Sequence, residues 1–199
     1  TNMRINATTQ VWSQTVVLVP YREHHVAKYH DWMKDPYLQE MTASEPLSLE
    51  QEYEMQKSWL EDEDKCTFII LDRETYERGK DEVEAMIGDV NLFFNDHDRP
   101  RDAEIEVMIA ESSQRRKGRG KEAIHLMMRY GVEELRVTAF SAKIKLSNEV
   151  SRRLFENIGF SLVSTSNVFE EATYRTEVND SLIAILNSAT QEYKLESLL

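Results

Sequence analysis

The stretch from residue 103 to residue 123 constrains the fold most, because it joins a strand pattern, a basic loop and a helix pattern. Residues 103–109 alternate, which places Glu104, Glu106 and Met108 on one face of a strand and apolar residues on the other. Farther along, residues of a helix face recur at Ile124, Met127, Met128, Gly131 and Leu135. The stretch therefore predicts a strand–loop–helix unit.

The loop of this unit concentrates positive charge in a chain whose formal net charge is -12. Its cations are Arg115, Arg116, Lys117, Arg119 and Lys121. Gly118 and Gly120 let the backbone curl so that successive N–H groups point into one concavity. The helix that follows adds the positive end of its dipole. The loop is thus predicted to bind an anion, and phosphate or pyrophosphate fits best.

Other phosphate loops match this stretch less well. A Walker loop needs Gly-x-x-x-x-Gly-Lys-Ser/Thr, and that string is absent from the sequence. Residues 118–123 read G-x-G-x-x-A, as in dinucleotide-binding folds, but the next strand pattern carries Lys143 and Lys145 where an acidic residue is needed. A basic connection that binds no ligand also stays open, since glycines often serve only turns.

The rest of the chain mixes strand and helix patterns. Strands are predicted at residues 16–20, 66–72, 85–94 and 138–146, a hairpin at 160–167 and 171–178, and helices at 23–34, 48–60, 147–159 and 180–193. Ser48 and Gln51 form a capping box, and Gly159 is a helix-ending glycine. In the helix at 147–159, Val150 is expected to face inward. The predicted fold class is α/β, a mixed twisted sheet with helices on both faces.

Composition narrows the function classes. The chain has 199 residues, enough for one well-buried domain, and no apolar run long enough to span a membrane. The acidic balance disfavours nucleic-acid binding. The single cysteine, Cys66, suits a reducing compartment, so a cytoplasmic location is expected. His24, His25 and His30 share a helix without supporting Cys or Asp ligands, so no metal site is expected.

Two motifs carry a resemblance to a known family. Residues 115–120, Arg-Arg-Lys-Gly-Arg-Gly, resemble the Gln/Arg-x-x-Gly-x-Gly/Ala loop of the GNAT acetyltransferases. About 30 residues later, Asn148-x-x-Ser151-x-x-Leu154-Phe155 resembles the second GNAT signature. Residues 42–47, 64–69 and 88–93 are similar to the N-acetyltransferase 9 group.

The resemblance implies a GNAT domain over residues 3–179 and leaves 180–199 as a C-terminal helical extension. It implies acetyl-CoA as the cosubstrate, with its pyrophosphate in the N–H cradle of the loop and its pantetheine paired with the strand end. The implied binding residues are Met108, Ile109, Ala110, Arg115, Arg116, Lys117, Gly118, Arg119, Gly120, Lys121 and Asn148. Without the motif, Asn148 is equally well explained as a helix N-cap.

Glu104 stands at the position of the family's general base, and Glu106 shares its strand face. Two neighbouring carboxylates can raise one pKa into the range useful for deprotonating an amine. The alternative is that both are solvated strand charges. Phe155 departs from the family pattern, because many members carry there a tyrosine that protonates the leaving thiolate.

The predicted function is an N-acetyltransferase acting on an amine of a protein or peptide, and the resemblance links the acceptor to tubulin. No nucleic acid or membrane partner is expected. A small-molecule amine acetyltransferase and a catalytically weak CoA-binding protein remain alternatives. The first two helices and their loop are expected to make the acceptor side acidic through Glu40, Glu45, Glu50, Glu52 and Glu54.

Overall fold

The strands form one sheet of nine in the computed structural model, which describes residues 3–199. They are β1 Thr9–Trp12, β2 Val16–Pro20, β3 Lys65–Asp72, β4 Met86–Phe93, β5 Asp102–Ile109, β6 Ala139–Lys145, β7 Ser161–Ser166, β8 Glu171–Glu177 and β9 Lys194–Ser197. Across the sheet their order is β7-β8-β6-β5-β4-β3-β2-β1-β9. Neighbours run antiparallel except β5 and β6, which are parallel. The predicted mixed sheet is confirmed.

Helices connect these strands. They are α1 Val26–Trp32, α2 Pro36–Met41, α3 Leu49–Glu61, α4 Arg73–Gly79, α5 Glu82–Ala85, α6 Arg119–Glu133, α7 Glu149–Ile158 and α8 Asp180–Ala189. Short 3-10 turns lie at Met3–Thr8, Glu23–His25 and Ser112–Gln114. Within residues 3–199, none of the helices has the length and apolar character that crossing a bilayer requires.

Local signals set several helix ends. The Ser48 hydroxyl accepts the Gln51 N–H at 3.2 Å, and the Gln51 side chain accepts the Ser48 N–H at 2.9 Å, which is the predicted capping box. Asp35 caps α2 by accepting the Tyr37 N–H at 2.9 Å. Gly159 ends α7 at φ 113°, a conformation that favours glycine.

Two apolar cores lie on opposite faces of the sheet. One core joins α6, α7 and α8 to strand residues such as Phe68, Leu92 and Ile105. The other joins α1 and α2 to strand residues such as Ile69 and Met108, with α3 packed against it. Because strand residues alternate between faces, the predicted pattern of β5 is confirmed: Ile105 belongs to the first core and Met108 to the second.

Two sequence expectations need correction, and one further segment has structure that the sequence patterns did not predict. Val150 is 74% exposed, so it does not face inward on α7; Phe155 and Ile158 are the buried residues of that helix. The C-terminal helix ends at Ala189 rather than residue 193, and the chain then forms β9. The polar segment after β3 folds into α4 and α5.

The C-terminal segment is more than a helix. Strand β9 pairs antiparallel with β1 and completes one edge of the sheet. Leu182 and Leu186 of α8 are buried in the core beneath α6. The boundary at residue 179 stays a prediction, and the residues beyond it share the core of the residues before it.

Candidate active site

A cleft opens where β5 and β6 separate. These strands pair in register only from Asp102 opposite Ala139 to Glu104 opposite Ser141, and then diverge. Beyond Glu104, no strand of residues 3–199 pairs with that edge of β5, and a cavity of about 340 Å³ lies beside it. The cleft therefore offers free backbone groups along β5, to which an extended ligand can pair.

A bulge ends β5 at the cleft. The N–H groups of Ala110 and Glu111 both donate to the carbonyl oxygen of Ile87, at 2.8 and 3.2 Å. The partner strand approaches closely here: a Cβ added to Gly88 would lie 1.9 Å from the carbonyl oxygen of Met108. Glycine at position 88 thus allows the backbone arrangement of the strand end, which the sequence indicated as a binding segment.

The loop after β5 folds as an anion cradle. Arg116 and Gly118 have positive φ angles of 60° and 79°, so the backbone curls before α6 begins at Arg119. Gly118 is the N-cap of α6 and supplies no side-chain cap, so N–H groups of the first turn stay available. A Cβ on Gly120 would meet only the Ile109 side chain at 3.5 Å, an ordinary contact. The protein itself does not demand glycine at 120, which fits close approach of a ligand.

The five loop cations divide into two groups. The Arg115 guanidinium donates to the carbonyl oxygens of Ile109 and Ala110 at 2.8 and 2.9 Å, which braces the strand end. Arg119 pairs with the buried Asp72 at 3.0 Å. Three are exposed and make no hydrogen bond or ion pair within the described part of the chain: Arg116, Lys117 and Lys121. The exposed group is the one available to a phosphate.

Both predicted carboxylates lie in the cleft. The register between β4 and β5 is regular through Glu104, Glu106 and Met108, so no bulge turns one glutamate away. The Glu104 carboxylate pairs with Lys143 Nζ of β6 at 3.4 Å. Glu106 is an exposed residue that lines the cleft. Partial desolvation of its carboxyl group, then the charges of Glu104 and Asp89, raise its pKa to about 7.

Comparison with known proteins identifies the family of the chain. The family described as "Acetyltransferase (GNAT) domain" matches residues 15–161. An N-acetyltransferase 9-like protein of Nematostella vectensis is 52% identical over 179 residues, 89% of this chain and 90% of that protein. The Alpha/beta-tubulin-N-acetyltransferase 9 of Homo sapiens is 53% identical over 182 residues, 90% of this chain and 88% of that protein. The chain belongs to the GNAT acetyltransferases.

Solved structures agree on the fold. A spermidine N-acetyltransferase from Vibrio cholerae in complex with CoA and spermine has a TM-score of 0.67 at 16% identity, over 89% of this chain and 98% of that one. An aminoglycoside acetyltransferase in complex with coenzyme A has a TM-score of 0.66 at 17% identity, over 89% and 98%. This chain is an acetyl-CoA-dependent N-acetyltransferase.

A buried polar network supports the carboxylates of the acetyltransferase. Asp89 of β4 accepts hydrogen bonds from the Tyr29 hydroxyl at 3.1 Å and the Asn91 amide at 3.3 Å. Thr67 donates to Asn91 at 2.7 Å. Burial raises the pKa of Asp89 above its ordinary value, and the hydrogen bonds from Asn91 and Tyr29 oppose that rise. The alternation of Asp89 and Asn91 in an apolar strand was a signal for this network that the sequence reasoning did not use.

One wall of the cleft carries a lysine that sequence reasoning also missed. Lys65 of β3 is buried, with its ammonium 3.0 Å from the ring centroid of Trp59 and 4.6 Å from that of Phe93. Burial lowers its pKa to about 8, while Asp89 and Glu106 oppose the shift. A single lysine at the start of an apolar strand gives no sequence signal for such a position.

The second GNAT motif contributes Asn148 and Phe155 to the cleft lining. The Asn148 side chain accepts the Ser151 N–H at 3.1 Å, so it is the N-cap of α7, and its amide nitrogen lies 3.8 Å from the Met41 sulfur. Phe155 is buried against Phe160. Among the described residues that line the cleft, Tyr29 is the one tyrosine, and it donates to Asp89.

The histidines lie apart from the cleft in an arrangement unsuited to a metal. His24 and His25 place Nε2 at 2.7 and 2.8 Å from the Glu82 carboxylate. The Arg22 N–H donates to Nδ1 of His25 at 3.0 Å, so the ring proton of neutral His25 is on Nε2 and donates to Glu82. A metal-ligating histidine shows the reverse arrangement, with its second ring nitrogen donating.

The glutamates expected to make the acceptor side acidic do not line the cleft. Glu52 is buried beside His30, with 3.8 Å between the carboxylate and Nδ1. The other four, Glu40, Glu45, Glu50 and Glu54, are exposed on or between α2 and α3. The acidic groups that do line the cleft are Asp89, Glu104, Glu106 and Glu171.

Proposed function

We propose that this acetyltransferase transfers the acetyl group of acetyl-CoA to the free amino terminus of a protein, with Glu106 as the general base. The observation that carries the proposal is the position of Glu106 in the cleft that opens where β5 and β6 separate, and its raised pKa of about 7 supports this role. This assigns to Glu106 the role that the sequence pattern gave first to Glu104. In the cleft, the Glu104 carboxylate is already paired with Lys143 of β6.

The residues of the cleft and the loop fit acetyl-CoA, which supplies the activated acetyl thioester. The N–H groups around Gly118 and Gly120 would hold the pyrophosphate, with Arg116, Lys117 and Lys121 adding attraction. The pantetheine arm would pair with the free edge of β5 at residues 108–110. Backbone N–H groups there would stabilise the charge that develops on the thioester oxygen. Asn148 would border the arm from α7.

The pKa values favour an α-amino acceptor over a lysine. An α-amino group has a pKa of about 7.7–8 and a lysine about 10.4. A base with a pKa of about 7 is closely matched to the first and about three units below the second. Glu106 would take the ammonium proton directly or through water, and the neutral amine would attack the thioester carbon. Because Phe155 has no proton to give, the CoA sulfur would leave as thiolate.

Tubulin is the acceptor we propose, because relatives from Mus musculus, Homo sapiens and Drosophila melanogaster are named Alpha/beta-tubulin-N-acetyltransferase 9 and are 45–53% identical to this chain. A cytoplasmic site of action is part of the same proposal. It is supported by Cys66, which is buried and free.

The test is turnover on matched acceptors. The full chain is incubated with acetyl-CoA and one of three acceptors: tubulin amino-terminal peptides with a free amine, the same peptides blocked at that amine but carrying a lysine, or spermidine. Thiol release gives the rate, and mass spectrometry locates the acetyl group. We expect turnover on the free amino terminus, lost in Glu106→Gln. Turnover on spermidine alone, or on the blocked peptides alone, would overturn the proposal.

A further inference from the structure

Lys65 is a largely buried cation whose ammonium reaches the cleft and has no carboxylate partner among the described residues. The residue is 7% exposed and lines the cleft. Its ammonium contacts the faces of Trp59 and Phe93, at 3.0 and 4.6 Å from the ring centroids. Within the described residues 3–199, no carboxylate lies within ion-pair distance of Nζ and no oxygen accepts a hydrogen bond from it. Aromatic faces attract the charge but accept none of its three N–H groups in the way an oxygen does.

The position of Lys65 relative to the glutamates is set by strand register. Lys65 lies opposite Phe93, and Phe93 lies opposite Glu104, so the three share one row across β3, β4 and β5. Neighbouring strands are about 4.8 Å apart, which puts the backbones of Lys65 and Glu104 about 10 Å apart. Glu106 occupies the next row on the same face. Lys65 and the proposed base therefore lie on the same face of the sheet, and both line one cavity.

An extended peptide fits this separation. A chain advances about 3.3–3.6 Å per residue, so the second and third residues lie about 3–7 Å beyond the first, and the side chain of Asp or Glu extends the reach by a few ångströms. When the α-amine is at Glu106, the side chain of the second or third acceptor residue would reach the Trp59–Lys65–Phe93 wall. Burial of a charge is costly unless it is paired, so an anion arriving there would gain a desolvated partner.

We propose that Lys65 selects acceptors by binding a carboxylate, so that the preferred substrate carries Asp or Glu at its second or third residue. This inference rests on the proposed amino-terminal acetylation and narrows its substrate class. A polycation such as spermidine would instead meet the Lys65 charge at this wall. If Lys65 instead had only a structural role, holding Trp59 and Phe93 in place, its removal would affect every acceptor alike.

The experiment measures kcat/KM for pairs of amino-terminally free peptides that differ only in Glu or Gln at the second or the third residue. Hydrogen bonds to charged groups contribute about 1.5–3 kcal/mol, so the wild type should prefer the Glu peptide roughly ten- to hundredfold at one of the positions. Lys65→Met should reduce that preference to near unity. Lys65→Arg, which keeps the charge, should retain a preference. Lys57→Met, an equal charge loss on the exposed face of α3, should leave it unchanged.

Three results would overturn the inference. One is a wild type that does not distinguish Glu from Gln at either position. Another is a Lys65→Met variant that loses the same factor on both peptides, with unchanged melting temperature and CoA affinity, since that identifies a structural role. The third is absence of turnover on every free peptide, which would contradict the proposed function itself. This outcome differs from the other two, because in both of those the peptides are acetylated and their rates can be compared.

Discussion

Replacing Glu106 with Gln tests the chemistry most directly. The substitution keeps the size of the side chain and removes its capacity to accept a proton. Solvent reaches Glu106, and the register of β5 with β4 does not depend on its charge, so the fold should persist. General base catalysis contributes about 10²–10⁴-fold, and kcat should fall by that factor with little change in CoA affinity.

The pH profile gives a second magnitude from the structure. With a pKa of about 7, the ionised fraction of Glu106 rises from about a tenth at pH 6 to about nine tenths at pH 8. The wild-type rate should therefore climb about tenfold over this range from this group alone. This rising part of the pH profile, the acid limb, should disappear in Glu106→Gln. The rate that remains should follow the ionisation of the acceptor amine.

Neighbouring charges should move the limb in opposite directions. The Glu104 carboxylate raises the pKa of Glu106, so Glu104→Gln should shift the acid limb to lower pH while retaining more activity than Glu106→Gln. The Lys65 ammonium lowers the pKa of Glu106, so Lys65→Met should shift the limb to higher pH. These variants serve as matched controls, because each changes one charge near the base without removing it.

The assay is thiol release at saturating acetyl-CoA on a peptide whose acetylated product is verified by mass spectrometry, between pH 6 and 9. Calorimetric titration with CoA confirms that each variant still binds. Near wild-type kcat for Glu106→Gln at neutral pH would refute the role of Glu106. If Glu104→Gln instead loses the larger factor and its acid limb disappears, Glu104 is the base.

Three further predictions follow from the structure. Gly120→Val should weaken CoA binding at least tenfold, because the added side chain would block the approach of the pyrophosphate to the backbone. The melting temperature should stay close to wild type, because a Cβ at position 120 would lie 3.5 Å from the nearest protein atom. Unchanged CoA affinity in calorimetry would reject the loop assignment. In Gly88→Ala, the new Cβ would meet the Met108 carbonyl oxygen at 1.9 Å. The free energy of unfolding, measured in urea, should therefore fall by about 1–3 kcal/mol or more. The KM for acetyl-CoA should rise, because the end of β5 must move. Burial, then the Lys121 charge, lowers the pKa of His125 to about 4, so the unfolded chain binds a proton that the folded chain does not. As pH falls from 6.5 to 4 the wild type should lose on the order of 3 kcal/mol of stability relative to His125→Gln, and equal losses would contradict this.

Local signals in the sequence determined the central unit. The period of two in residues 103–109 was enough to place Glu104, Glu106 and Met108 on one face, because adjacent side chains of a strand point to opposite sides. Gly118 and the basic run were enough to indicate a loop that exposes N–H groups before a helix. The capping box at Ser48 and the helix-ending Gly159 depend on neighbours within a few residues, and both are confirmed.

Other features had no local signal. Strand β9 forms because its backbone pairs with β1, which lies almost the whole chain away in sequence. Arg115 and Arg119 look like phosphate ligands in the sequence. In the structure, the Arg115 guanidinium donates to backbone carbonyls, and the Arg119 guanidinium donates to Asp72. Val150 fits an apolar helix position and is exposed, because α7 packs through Phe155 and Ile158 instead.

The sequence by itself determined the family, the anion loop and the pair of carboxylates, since each rests on residues close together in the chain. Only the tertiary structure distinguishes the surroundings of the two carboxylates and places Lys65 in the cleft. A pKa depends on burial and on charges within a few ångströms, and for Glu106 these come from β3, β4 and β5. The divergence of β5 from β6, which opens the cleft, likewise depends on how distant strands pair, so the sequence of neither strand predicts it.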